Sequence, residues 1–270
     1  MNNKKIAYWS IGWGNYSKMM QTLINSFHKF NIEGDFIAFS DETLDNCINE
    51  PLDSNIPLDL SNYLFKFHYL KKLNKYDYDY FVFIDCDSVF VSEPKISPLF
   101  FVQNNNPWHC FLESPINANT TRRGDWWGVP VQQLTNYFRE LGVICNEIRN
   151  MNAGYWVCQK EFIDHAFNLG MESFQFFKDK GFNITEEIPM AYISNYICAD
   201  VSFHFHEKYI DYWASDWTGV FKDKYPDYIE WNYESYMTGE QFKVKPAIVH
   251  AMRSKKALVE MGKNYLLHHS

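Results

Sequence analysis

Apolar and polar positions alternate along the first hundred residues in two distinct periods. Ile6 to Ile11 is a short apolar run that reads as a buried strand, broken by Gly12-Trp13-Gly14. Met19, Met20, Leu23, Ile24 and Phe27 then recur at helical spacing. Phe36 to Phe39 predicts a second buried strand, and the Pro51- and Pro57-containing stretch from Asp41 to Leu60 reads as loop. Leu64, Phe67, Leu70 and Leu73 mark a second helix, which leads into the apolar run Tyr80 to Ile84. Strands alternating with helices predict an α/β fold, a single doubly wound and mostly parallel sheet flanked by helices.

Beyond Phe90 the pattern is less regular. Trp108 to Leu112 and Tyr155 to Cys158 read as strands, Leu134 to Leu141 and Phe162 to Phe177 as helices. Residues 120–127, with Arg122, Arg123, Trp126 and Trp127, read as a loop able to wall a ligand. After Asp200 aromatic residues are frequent but periodicity is weak. With no repeat or linker, the expectation is one domain over 1–270, divided into stretches 1–100 and 101–270.

Composition narrows the partners. Among 270 residues, 46% are hydrophobic and 19% aromatic, ample for a core without staples. A net charge of −8 argues against nucleic acid or an anionic membrane as partner. The six cysteines form no Cys-x-x-Cys pair, which fits free thiols in a reducing compartment. The opening apolar run is too short for a signal or a membrane span, so the expected location is the cytoplasm, of a cell or of an infected host cell.

The candidate chemistry starts at Asp85-Cys86-Asp87, where two carboxylates end an apolar strand. Two residues apart in extended backbone, they point the same way and repel unless a cation bridges them, and oxygen ligands suit magnesium, manganese or calcium. Solvated acids in a strand-end turn are the alternative. Near the other end, Ala247-Ile248-Val249 delivers His250, followed by Arg253, Lys255 and Lys256, a dense basic patch in an acidic chain.

These segments, with Gly14-Asn15-Tyr16, Lys66, Asn152-Ala153-Gly154 and Glu186-Glu187, resemble in their order the GT-A nucleotide-sugar glycosyltransferases, most closely the family-8 type that includes galactosyl- and glucosyltransferases and glycogenin. The resemblance implies a metal-dependent transfer of a sugar from a nucleoside diphosphate sugar, a UDP-sugar, to an acceptor hydroxyl on a carbohydrate or glycoconjugate, with retention. It implies Asp85, Asp87 and His250 as ligands of Mn²⁺ or Mg²⁺. It places Asn15 and Tyr16 at the base, Lys66 and Lys256 at the nucleotide and its diphosphate, and Asn152, Ala153 and Gly154 beside the donor sugar. Glu187 and Glu186 stand where the family carries an Asp-Gln pair, as nucleophile, base or sugar-binding groups. Trp13 stands where the family has an acid. Trp126, Trp127, Trp213 and Trp217 are candidates for an acceptor wall. Two alternatives use the same residues: a haloacid-dehalogenase-like phosphatase working through Asp85 and Asp87, and a non-catalytic sugar- or nucleotide-binding module.

Overall fold

The computed structural model describes residues 4–59, 61, 63–102, 106–116, 124–143, 148–197, 206–216, 219–221, 231–235, 238–252 and 255. The elements run β1 (Ile6–Gly12), α1 (Asn15–Lys29), β2 (Asp35–Ser40), β3 (Ile48–Pro51), α2 (Phe65–Lys72), β4 (Tyr80–Ile84) and β5 (Ser88–Phe90). Next come β6 (Trp108–Ile116), β7 (Asp125–Trp126), β8 (Val129–Pro130), α3 (Val131–Glu140), β9 (Ile148–Gln159), α4 (Ile163–Asp179) and α5 (Glu187–Ile197). The last five are β10 (Trp213–Ser215), β11 (Gly219–Phe221), β12 (Trp231–Ser235), β13 (Gln241–Val244) and β14 (Ile248–His250). The fold class is mixed α/β, sheets with flanking helices, as the alternation of elements predicts.

Contacts divide the chain into two compact units, each assembled from separated stretches. The first takes in 1–5, 53–81 and 98–205, the second 6–52, 82–97 and 206–270, and the division falls inside β4 after Phe81.

In the second unit, β1 pairs with β2 and β2 with β3, all in parallel. Every residue of β1 is buried, which explains its unbroken apolar reading. The face against α1 is aromatic: Phe27 sets its ring edge-on to Tyr8, Phe36 and Phe90 at 5.1–5.9 Å, and each such buried side chain contributes about 1.5–3 kcal/mol. The helix starts close to the strand end. A Cβ on Gly12 would lie 3.0 Å from the backbone of Tyr16, so a larger residue there would force the turn open. Asp41 caps the turn from outside, accepting hydrogen bonds from the Gly14 N–H at 2.9 Å and the Ser17 hydroxyl at 2.6 Å. The Ser17 bond, then the Gly14 bond, hold its carboxyl below the usual range. A three-stranded sheet places β14 between β10, parallel, and β5, antiparallel. A further antiparallel meander, β11-β12-β13, contributes Trp231, Tyr233 and Val244 to a core shared with Val89, Ala214 and Val249.

In the first unit, β6 and β9 pair antiparallel, and α5 packs on β9 while α4 packs on α2 and α5. Trp108 and Trp156 stack across the two strands at 4.9 Å. Gly170 lets α4 approach α2: a Cβ there would meet the Phe67 ring at 2.9 Å.

Three elements depart from the pattern reading. Residues 48–51 form an edge strand inside the predicted loop, because alternating half-buried side chains carry little apolar signal. β9 begins at Ile148, so Asn152-Ala153-Gly154 lies within a strand rather than in a turn before one. Beyond residue 205 the described residues hold five short strands; the expected one ending at His250 is among them, and the other four, three to five residues long, are too brief for periodicity to register.

Candidate metal centre and carboxylate pair

β4 ends at Ile84, and the chain turns through Asp85-Cys86-Asp87, closed by a 3.0 Å bond from the Ser88 N–H to the Asp85 carbonyl. β5 then pairs antiparallel with β14 so that Ser88 stands opposite His250. The Ala251 N–H donates to the Asp87 carbonyl at 2.9 Å, locking that register. Strand pairing thus brings the imidazole to the two carboxylates. His250 Nε2 lies 3.2 Å from Asp87 Oδ1 and 3.6 Å from Asp85 Oδ2, and one ligand atom from each of the three residues falls within 4.8 Å of the others.

Asp87 and His250 are buried, and Asp85 is half-buried. Burial alone would push Asp87 up, but the charges of His250 and Lys255 outweigh it and hold the carboxyl well below its ordinary value. Burial would likewise lower His250, yet Asp87, with Asp85 and Asp216, raises it. His250 is oriented from its far side. Ser215 Oγ lies 3.2 Å from Nδ1, and the Trp213 ring stacks on the imidazole at 5.9 Å. The Tyr233 hydroxyl donates to the Ser215 carbonyl at 3.0 Å, fixing that residue in turn. With Nδ1 engaged by Ser215, Nε2 is the nitrogen presented to the carboxylates. Two carboxylates and one imidazole nitrogen form a donor set that suits Mn²⁺ or Mg²⁺.

Lys255 completes the cluster. Its ammonium is 3.0 Å from Asp87 Oδ2, donates to the Tyr16 hydroxyl at 3.1 Å, and sits 4.6 Å from the Tyr16 ring centroid. Tyr16 is in the first turn of α1, beside Asn15 and with Trp13 tilted against it at 6.4 Å.

The first unit holds a different arrangement. Lys66, expected on a solvated helix face when its residue type is taken alone, is 4% exposed, and its ammonium meets Glu186 Oε1 at 3.0 Å and the Ala153 carbonyl at 3.5 Å. It therefore ties α2 to the Asn152-Ala153-Gly154 stretch of β9 and to the residue preceding α5. Within that stretch Asn152 Oδ1 accepts from the Gly154 N–H at 2.7 Å. Glu187 opens α5 and accepts a short hydrogen bond from the Thr185 hydroxyl. Burial raises its pKa against the opposing pull of Thr185, Glu186 and Lys66.

Lys256, Arg122, Arg123, Arg253 and Trp217 lie outside the described residues. Trp213 is fully buried against His250, so its ring orients the imidazole and offers no wall to an acceptor. Trp126 is also buried, while Trp127 is half-buried with a left-handed backbone, φ 48°. Ser215 and Asp216 have no motif of their own, and their only signal is a short apolar strand before them.

No protein-family model and no curated protein sequence matches the chain. Among solved structures, the apo form of the bifunctional glycosyltransferase WbbM superposes with a TM-score of 0.61 at 14% identity, over 97% of this chain and 50% of that one. The galactosyltransferase LgtC, in complex with donor and acceptor sugar analogues, superposes at 0.57 and 12% identity, over 97% of this chain and 95% of LgtC. The chain has the fold of these glycosyltransferases. It spans half the length of WbbM and nearly all of LgtC. Among the described residues no helix is long and apolar enough to cross a membrane.

Proposed function

We propose that the protein is a metal-dependent glycosyltransferase that moves a sugar from a nucleoside diphosphate sugar, a UDP-sugar, to a hydroxyl of a carbohydrate or glycoconjugate. The observation that carries this reading is the convergence of Asp85 and Asp87 with His250, 163 residues after Asp87 in sequence (250 − 87), into one donor set on a glycosyltransferase fold. Held by these three residues, Mn²⁺ or Mg²⁺ supplies charge neutralisation for a departing diphosphate.

The chain's own groups have separable tasks. Tyr16 and Asn15 at the start of α1 receive the base, the Tyr16 ring by stacking and the helix N-terminus by the positive end of its dipole. Lys256, with Lys255 as neighbour, neutralises the diphosphate. Asn152, Ala153 and Gly154 are small enough for the donor sugar to approach backbone. Lys66 engages Glu186 in a buried pair, while Glu187, raised by burial, is the better placed of the two to exchange a proton with a hydroxyl. Retention of configuration follows the family-8 resemblance. No observation favours the phosphatase alternative.

Thermal shift with UDP, GDP, CDP and TDP, with and without Mn²⁺, tests the proposal, because stabilisation grows as RT ln(1 + [L]/Kd). The expected result is a UDP response that requires Mn²⁺ and vanishes in Asp87→Asn. Absence of any nucleotide response with metal present would overturn it. Slow release of UDP from a UDP-sugar, abolished in Glu187→Gln with Mn²⁺ binding retained, separates an enzyme from a binding module that never cleaves its donor.

A further inference from the structure

We infer that Lys255 couples the metal centre to the nucleoside site, bridging Asp87 and the Tyr16 ring until a divalent cation at Asp87 releases it from both. The inference rests on the function proposed above and adds a residue and an order of binding to it.

The geometry makes Lys255 a substitute counter-ion. Its ammonium takes Asp87 Oδ2 at 3.0 Å while His250 takes Oδ1 at 3.2 Å, so both oxygens of that carboxylate are already occupied. A metal ion bound by Asp87 must compete for those lone pairs, and a second cation so close is repelled. Lys255 can yield: its side chain is 32% exposed, against 9% for Asp87, so the ammonium can return to water at little cost. The buried Lys66, 6% exposed beside Glu186, has no such exit.

The same ammonium governs Tyr16. At 4.6 Å from the centroid and 3.1 Å from the hydroxyl, it occupies ring surface that a stacked pyrimidine needs. Trp13, 6.4 Å away and tilted by 50°, restricts the remaining approach. Displacement of Lys255 from Asp87 removes the carboxylate that holds it over the ring. The cation therefore prepares the base site without touching the base, and by reciprocity a base on Tyr16 strengthens cation binding.

Uridine separates this coupling from ordinary chelation, because a nucleoside has no diphosphate to bridge to a metal. The experiment measures the Kd of Mn²⁺ by electron paramagnetic resonance, with and without saturating uridine, for wild type, Lys255→Met, Lys255→Arg and Asp87→Asn. In wild type, uridine tightens Mn²⁺ about tenfold, within the usual span of site–site coupling. Lys255→Met binds Mn²⁺ about tenfold more tightly without uridine and ignores uridine. Lys255→Arg restores the wild-type pattern. Wild-type Mn²⁺ binding that is indifferent to uridine, or a Lys255→Met protein that binds Mn²⁺ as wild type does, overturns the coupling and leaves the metal site standing if Asp87→Asn still abolishes binding. Failure of wild type to bind Mn²⁺ at all overturns the metal site and the coupling together.

Discussion

Two buried acidic clusters in this chain each recruit a lysine, and they differ in what the lysine is for. At Glu186 the pair with Lys66 is closed off: both side chains are about 5% exposed and a backbone carbonyl shares the ammonium. At Asp87 the lysine stands at the rim, a third exposed, on a carboxylate that His250 also meets. The closed pair leaves its ammonium no route back to water. The open one has a cation that can leave for water, which a carboxylate that is to take a metal requires. Burial of a carboxylate alone therefore says little; the exposure of its counter-ion tells structural use from ligand binding.

The largest effect that sharpens this contrast is expected at the closed pair. Lys66→Met leaves Glu186 buried without its cation and should cost roughly 3–5 kcal/mol in urea unfolding, the usual penalty for breaking a buried pair. Adding Glu186→Gln should recover most of that loss. A Lys66→Met protein as stable as wild type would show that the pair is not closed in solution.

At the open cluster the corresponding loss falls on binding. Asp87→Asn removes a ligand charge and should weaken Mn²⁺ by at least ~100-fold, beyond the range seen for residues that merely orient a ligand. Its effect on unfolding without metal should be smaller than that of Lys66→Met, because Lys255 can return to water and buried His250 can give up its proton once Asp87 no longer carries charge. Equal destabilisation by the two variants would erase the distinction between the clusters.

Ser215→Ala tests the next layer. Loss of the hydroxyl beside His250 Nδ1 frees the imidazole tautomer and should weaken Mn²⁺ about tenfold, the low end for a group that orients a ligand. Ser215→Thr, which keeps the hydroxyl, should restore affinity. An unchanged Mn²⁺ Kd in Ser215→Ala, read by the same resonance titration, would assign the orientation of His250 to Trp213 alone.

The open cluster was also the more legible of the two. Asp85 and Asp87 announce themselves as charges ending an apolar run, and Ile248-Val249 delivers His250 at a strand end. Hydrophobic periodicity located β1, α1, β2 and β4 because each buries a continuous apolar face. Lys66 was different: its residue type predicts solvation, and only packing of α2 against α4 and the position of Glu186 120 residues on reveal a buried cation. Ser215 was equally silent, while Trp213 was read as an acceptor wall and Lys255 as part of a basic patch; their observed contacts come from the pairing of β10 with β14 and from the reach of one side chain to α1. Short strands such as β5 and β10 owe their existence to pairing rather than to local propensity, so no window of sequence carries them.

pH provides the smallest but most diagnostic test, because it moves stability and metal binding of the same residue in opposite directions. His250 is raised above its unfolded value by Asp87, once burial is overcome, so its contribution to stability is full below about pH 6.5 and is lost as pH rises through the folded-state value. Asp87 is held low, so its contribution is present above about pH 3.8 and disappears only in acid below that. Metal-free protein should accordingly be most stable between these limits and lose stability slightly as pH rises further. Mn²⁺ requires neutral imidazole, so its affinity should climb over that same alkaline limb, by about tenfold per pH unit while His250 still carries its proton. Scanning calorimetry from pH 5.5 to 8 with and without Mn²⁺ reads both slopes. Parallel slopes would mean that His250 does not exchange its proton for the metal, and the open cluster would then be an ion-pair network of the same kind as the closed one.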